Sequence, residues 1–182
     1  ATFNARLAHF DAEGNRLETV TPPYRIIEFT DLAYDQQRQQ IWLGSWCGGL
    51  GCYDLGAGSW THFLPETGNP ASLSNKNCYH LYLDPTSDEL WIGTWGTGLN
   101  RLDLANHQIE RLQIGPPGEA SRSINYNIVL SFLKDRSGVR WVGTDGGGIC
   151  LHDPRQAQFD LLLPSAQLPA IDNDVLCVLE DP

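Results

Sequence analysis

The chain has no methionine and only two lysines, Lys76 and Lys134, among its 182 residues. With a formal charge of −10, it lacks the basic surface that neutralises phosphates, which excludes DNA, RNA and direct contact with an anionic membrane. No apolar run reaches the roughly 18 residues of a membrane-spanning helix, and no signal peptide is legible. No segment sustains a helical period of 3.6, so no helix is expected. The five histidines, His9, His62, His80, His107 and His152, stand at no spacing of three to five from one another or from a cysteine pair. Structural zinc is therefore not expected, and neither is any other metal or cofactor. A G-x-S-x-G nucleophile elbow is missing as well.

Repetition is what the chain has in abundance. IWLGSWCGGL from Ile41, LWIGTWGTGL from Leu90 and RWVGTDGGGI from Arg140 say nearly the same thing, with Trp42, Trp91 and Trp141 spaced 49 and 50 residues apart. Self-similarity at this period is the mark of propellers and solenoids. The alignment continues without gaps through Leu7, Leu50, Leu99 and Ile149, then Asp11, Asp54, Asp103 and Asp153, then Leu17, Trp60, Ile109 and Phe159. Upstream of each tryptophan a second block ends in Asp35, Asp84, Asp135 and Asp181, with Phe29, Cys78, Val129 and Val175 six residues earlier.

Each unit reads as four short strands separated by turn chemistry. In the second full unit the strands are expected at 78–83, 90–94, 99–104 and 108–114, with the polar turn 85–89, the glycine-bearing turn 95–98 and a third turn at 105–107. A four-stranded antiparallel unit of this length is a β-propeller blade. The fold class is accordingly all-β, an arc of about three full blades with partial blades at both ends. The expected divisions are a partial blade at 1–22, blades at about 23–70, 71–120 and 121–166, and the first strand of a further blade within 167–182. Fifteen strands make an arc and not a ring, so a piece of a longer propeller is expected, in keeping with the absence of methionine at position 1.

The run LWIGTWGTGLNRLDL, preceded by SLSNKNCYHLYLD, resembles the two-component regulator propeller repeat of sensor ectodomains in hybrid two-component regulators. The likeness covers nearly the whole chain, and its G-T/S-W-x-x-G-L run differs from the Trp-Asp endings of WD-repeat blades. The resemblance implies a ring of about seven blades, an extracytoplasmic (periplasmic) location and a membrane-bound sensor whose ligand controls a kinase or similar output. It also implies further blades from the rest of the chain as partners, and a homodimer of the full-length sensor.

Several motifs are better read as structure. The run 143–148, GTDGGG, lacks the Gly-Lys-Ser/Thr of a phosphate cradle and recurs as a turn in the other units. Asp11 opens what looks like a calcium loop, but Arg16 stands where that loop needs glycine and Pro22 where it needs glutamate. Cys78 takes a core hydrophobe's place, while Cys47 and Cys52 straddle one hairpin, where a disulfide would need a geometry that spacing does not establish. Nothing in the spacing ties Cys47 to His80 as a nucleophile and base, and catalysis is not expected.

The turn joining the second and third strands carries Phe3, Trp46, Trp95 and Asp145 in successive units. In a blade this turn shares a face with the connection to the next unit, which brings it near Asn75, Asn77, Asn125, Tyr126, Asn127, Asn173 and Asp174. Aromatic faces stack on sugars and amides bond their hydroxyls, so Trp46, Trp95, Asp145, Asn77 and Asn127 are the candidate contacts for an oligosaccharide or other polar small molecule. The competing reading has each aromatic packed on the neighbouring blade and each Asn satisfying backbone groups. Asp145 breaks the aromatic pattern and stands out for that reason. A non-catalytic ligand sensor is the expected function; a streptogramin-lyase-like propeller enzyme and an interaction scaffold are the alternatives.

Overall fold

A computed structural model describes residues 5–112, 124, 126–153, 155, 158–162 and 175–178. Among them are fourteen strands and no helix. A two-stranded hairpin, β1 (Leu7–Phe10) and β2 (Arg16–Val20), is followed by three four-stranded antiparallel sheets. The first sheet holds β3 (Glu28–Asp35), β4 (Gln40–Trp46), β5 (Gly49–Asp54) and β6 (Ser59–Phe63). The second holds β7 (Cys78–Leu83), β8 (Glu89–Thr94), β9 (Leu99–Asp103) and β10 (Ile109–Leu112). The third holds β11 (Val129–Lys134), β12 (Arg140–Thr144), β13 (Gly148–Asp153) and β14 (Gln158–Leu162). Within each sheet the strands pair in chain order, as blades do. The expected propeller arc is therefore the observed fold, and the second unit's strands fall within two residues of their expected positions. Most of the fifteenth expected strand lies outside the described residues.

The recurring aspartates close the hairpins. Asp35 Oδ1 accepts the N–H groups of Gln37 and Arg38, and Asp84 Oδ1 accepts both the N–H and the hydroxyl of Thr86. Asp135 Oδ1 takes Ser137 and Val139. The other column does the same between third and fourth strands, with Asp54 bonded to Gly56 and Ala57, and Asp103 to Ala105 and Asn106. Short carboxylates bonded to the backbone two or three residues on are Asx turns.

The W-x-G-S/T run is explained by two contacts. At Gly44, Gly93 and Gly143 an added Cβ would lie 3.3, 2.8 and 2.7 Å from the carbonyl oxygens of Cys78, Val129 and Val175, on the next unit. Neighbouring blades thus meet closely at this position: a side chain would collide with main chain at Gly93 and Gly143 and be tight at Gly44. One residue later, the hydroxyls of Ser45, Thr94 and Thr144 donate to the carbonyls of Gly49, Gly98 and Gly148, closing the turn between second and third strands.

The core lies between blades. Trp42, Leu50 and Cys52 of the first sheet and Leu73 of its outgoing connection meet Cys78, Leu81 and Ile92 of the second. Trp91 and Leu99, with Ile124, meet Val129, Phe132 and Val142 in the same way. Full burial of each aliphatic side chain contributes about 1.5–3 kcal/mol, so these seams outweigh surface ion pairs of about 0–1 kcal/mol. First strands lie innermost: β3 packs on β7 and β7 on β11. Each carries a bulge at the same place, between Phe29 and Asp31, Cys78 and His80, and Val129 and Ser131. No disulfide joins Cys47 and Cys52. Burial pushes the thiols of Cys52 and Cys78 up to about 12, which leaves them protonated and inert.

Candidate functional site

The turns between second and third strands and the connections to the following blades do share one face, and hydrogen bonds join them. Gly49 N donates to Lys76 O at 2.7 Å across the first seam, and Gly98 N to Asn127 O at 2.8 Å across the second. Within each blade the turn also bonds its own first strand's approach, through Trp95 N to Asn77 O at 3.0 Å and Asp145 N to Ile128 O at 3.1 Å. Asp145 and Trp95 thus share a backbone role and differ in their side chains.

Connection 64–77 is pinned from outside. Arg111 on β10 donates to the carbonyls of Asn69, Ser72 and Leu73, and the buried Asn100 on β9 accepts Ser74 N at 2.9 Å. This anchorage sets the positions of Asn75 and Asn77. Asn75 Nδ2 donates to Trp95 O, and Asn77 Oδ1 accepts Cys47 N at 2.9 Å. Cys47 is at φ 68°, a left-handed conformation that a non-glycine residue adopts at a cost, and Asn77 holds it there. The amides of Asn75 and Asn77 therefore serve the backbone. Asn127 contributes its carbonyl to Gly96 N and Gly98 N.

The aromatics are brought together across blades. Trp46 and Trp95 meet edge to face with centroids 5.6 Å apart, and Tyr79 lies 5.7 Å from Trp95 on its other side. Packing on the neighbouring blade is thus real, yet it leaves Trp95 and Tyr79 36% and 37% exposed. Tyr126 is exposed beside the turn at Gly146, which follows Asp145. Phe3, Asn125, Asn173 and Asp174 lie outside the described residues. The repeated Trp42 and Trp91 are buried between blades and take no part in this surface.

Tyr79 also walls a cleft of about 410 Å³ on the innermost strands, with Glu28, Phe29, Thr30 and Asp31 from β3, His80 from β7 and Leu130 from β11. Its fixed element is a pair that joins two blades: His80 Nδ1 stands 2.8 Å from Asp31 Oδ2. The same carboxylate accepts Leu32 N at Oδ1 and Leu81 N at Oδ2, both at 2.8 Å. Burial alone would raise the Asp31 carboxyl; the bonds from His80, Leu81 and Leu32 outweigh it and hold the group below the usual carboxylate range. His80 is thus partnered by Asp31 and not by Cys47. Sequence reasoning missed this cleft, although a signal was there. Asp31, His80 and Ser131 share one repeat position, polar in all three first strands.

The opposite face is built differently. Between its first hairpins lies a groove of about 630 Å³ lined by Asp35, Arg38, Asp84 and Asp88 among others. Arg38 bridges Asp35 and Asp88 at 3.0 and 2.9 Å. Lys134 reaches from the third blade to the fully buried carboxylate of Asp84 at 2.8 Å.

No protein-family model and no curated protein matches the chain. Solved structures do share its fold. The extracellular domain of BT3049 from B. thetaiotaomicron, described as a hybrid two-component system, aligns with a TM-score of 0.70 at 15% identity, over 88% of this chain and 25% of that one. The extracellular domain of BT4673 from the same organism, also described as a hybrid two-component system, gives 0.66 at 18% identity, over 90% and 21%. A second structure of BT4673, described as a one-component system, gives 0.66 at 19%. The chain spans about a quarter or less of the length of these structures. They are proteins of the kind whose repeat the sequence resembles, and at such identities the likeness is one of fold.

Proposed function

We propose that this chain is a segment of an extracytoplasmic sensor of the two-component type, whose propeller holds an oligosaccharide or other polar small molecule without transforming it. The observation that carries the reading is the row of Trp46, Trp95 and Tyr79, which spans two blades, stays partly open to solvent and runs into the cleft at Asp31 and His80. Flat apolar rings beside polar groups suit the two kinds of surface a sugar presents. Asp145 and Asn127 extend the same face over the third blade, while Asn77 acts by holding the turn that carries Trp46. The fold shared with extracellular domains of two-component systems supports the sensing role and the location.

In the full-length protein the remaining blades extend this arc, and two copies pair. The ligand favours one arrangement of the pair over another, and the output follows that population. Calorimetric titration of the intact protein with neutral oligosaccharides tests the face. Trp95→Ala and Asp145→Ala are each expected to weaken binding about tenfold, a loss of about 1.4 kcal/mol. Unchanged affinity in both variants removes this surface from consideration.

A further inference from the structure

We propose that the cleft between β3 and β7 selects its ligand by charge, taking a neutral hydroxyl-rich or amine-bearing glycan and refusing an acidic one. This rests on the ligand-sensing reading above and assigns the ligand class of that site. The argument is an inventory of donors and acceptors. At about 410 Å³ the cleft falls within the ~300–1,000 Å³ usual for small-molecule sites. Glu28, an exposed residue at its mouth, offers carboxylate oxygens that only accept. Asp31 is held ionised and already takes two N–H groups and His80 Nδ1. Nδ1 of His80 is committed to that carboxylate, so Nε2 is the ring nitrogen left to face a ligand. Thr30 gives its proton to Cys78 O and retains lone pairs.

The carboxylates of Glu28 and Asp31 and the lone pairs of Thr30 thus offer acceptors, and donors are confined to the Tyr79 hydroxyl and the His80 ring. No lysine or arginine lines the cleft among the described residues. Sugar hydroxyls and ammonium groups bring the donors that such a surface lacks. A uronic carboxylate or a sulfate brings more acceptors and places its charge beside Glu28 and Asp31, with no lysine or arginine among the described lining residues to offset the repulsion. The exposed face of Tyr79, continuous with Trp95, supplies the stacking surface for the ring itself.

The intact protein applied to a glycan array carrying neutral, amino, uronic and sulfated sugars tests the assignment. Signal is expected on neutral or amino glycans and at least tenfold below it on uronic and sulfated ones. Glu28→Lys, at an exposed position where folding is not at stake, is expected to raise the acidic signal at least fivefold and to depress the amino one. Acidic glycans as the strongest binders, or a Glu28→Lys profile identical to that of the unaltered protein, overturns the charge assignment while leaving the sensing reading standing. Binding to no glycan of any class overturns both.

Discussion

The two faces of these blades solve the same problem, joining neighbouring sheets at their ends, with different chemistry. On the face of the first hairpins the joints are ionic: Lys134 crosses to Asp84, and Arg38 to Asp88. On the face of the second turns they are backbone hydrogen bonds and aromatic edges, with Asn77 and the carbonyls of Lys76 and Asn127 as acceptors. Charges fixed in ion pairs are unavailable to a ligand, whereas rings packed by their edges still offer their faces. One face is thereby closed by ion pairs, while the other keeps ring faces open, the surface proposed above for a ligand.

The largest expected effect that sharpens this contrast is at Lys134. Lys134→Met leaves the fully buried Asp84 without its cation and is expected to cost about 3 kcal/mol in urea unfolding of the intact protein. Glycan binding is expected to stay within twofold; a parallel loss of binding would break the division between faces. The same pair sets the acid limb. The Asp84 carboxyl is buried, which by itself raises it, but Lys134 and Thr86 pull it below the usual carboxylate range. Its stabilisation is therefore complete above about pH 4 and is lost as pH falls through the lower folded value. Melting temperature followed from pH 6 downward is expected to drop below about pH 4, and less steeply in Lys134→Met.

A smaller effect is expected at Asn77. Asn77→Ala removes the acceptor for Cys47 N and is expected to cost about 1 kcal/mol while also loosening the turn under Trp46, so both stability and binding fall. Arg38→Ala is expected to do least, about 0.5 kcal/mol or less by urea unfolding, since Asp88 is well exposed. A cost as large as that at Lys134 would show the ionic joints to be one coupled network and not separate pairs.

Much of the architecture was legible because every level of the sequence repeats together. Columns of tryptophan, glycine and aspartate gave the period, and the alternation with turn residues gave four strands per unit. The physical meaning of the columns was less legible. Gly44, Gly93 and Gly143 recur beside the tryptophans, but only the structure shows that each lies under the carbonyl of a residue in the next unit. The Asp31–His80 pair was hidden for a related reason. An alignment stacks equivalent residues in a column without showing that, on the innermost strands, the members of a column become neighbours in space. The fate of the Asn side chains was hidden too, since a ligand and a backbone N–H call for the same amide.

The bare seam at Gly44, Gly93 and Gly143 has a bearing on descent. At this position each unit offers a glycine, and the next unit brings up both a carbonyl and an apolar side chain against it. Cys78, Val129 and Val175, all small and apolar, fill the one seat. A gene segment encoding one blade can therefore be copied and set beside itself with that joint already matched, and its interior left free to diverge. Such a joint is independent of the face on which any ligand would sit.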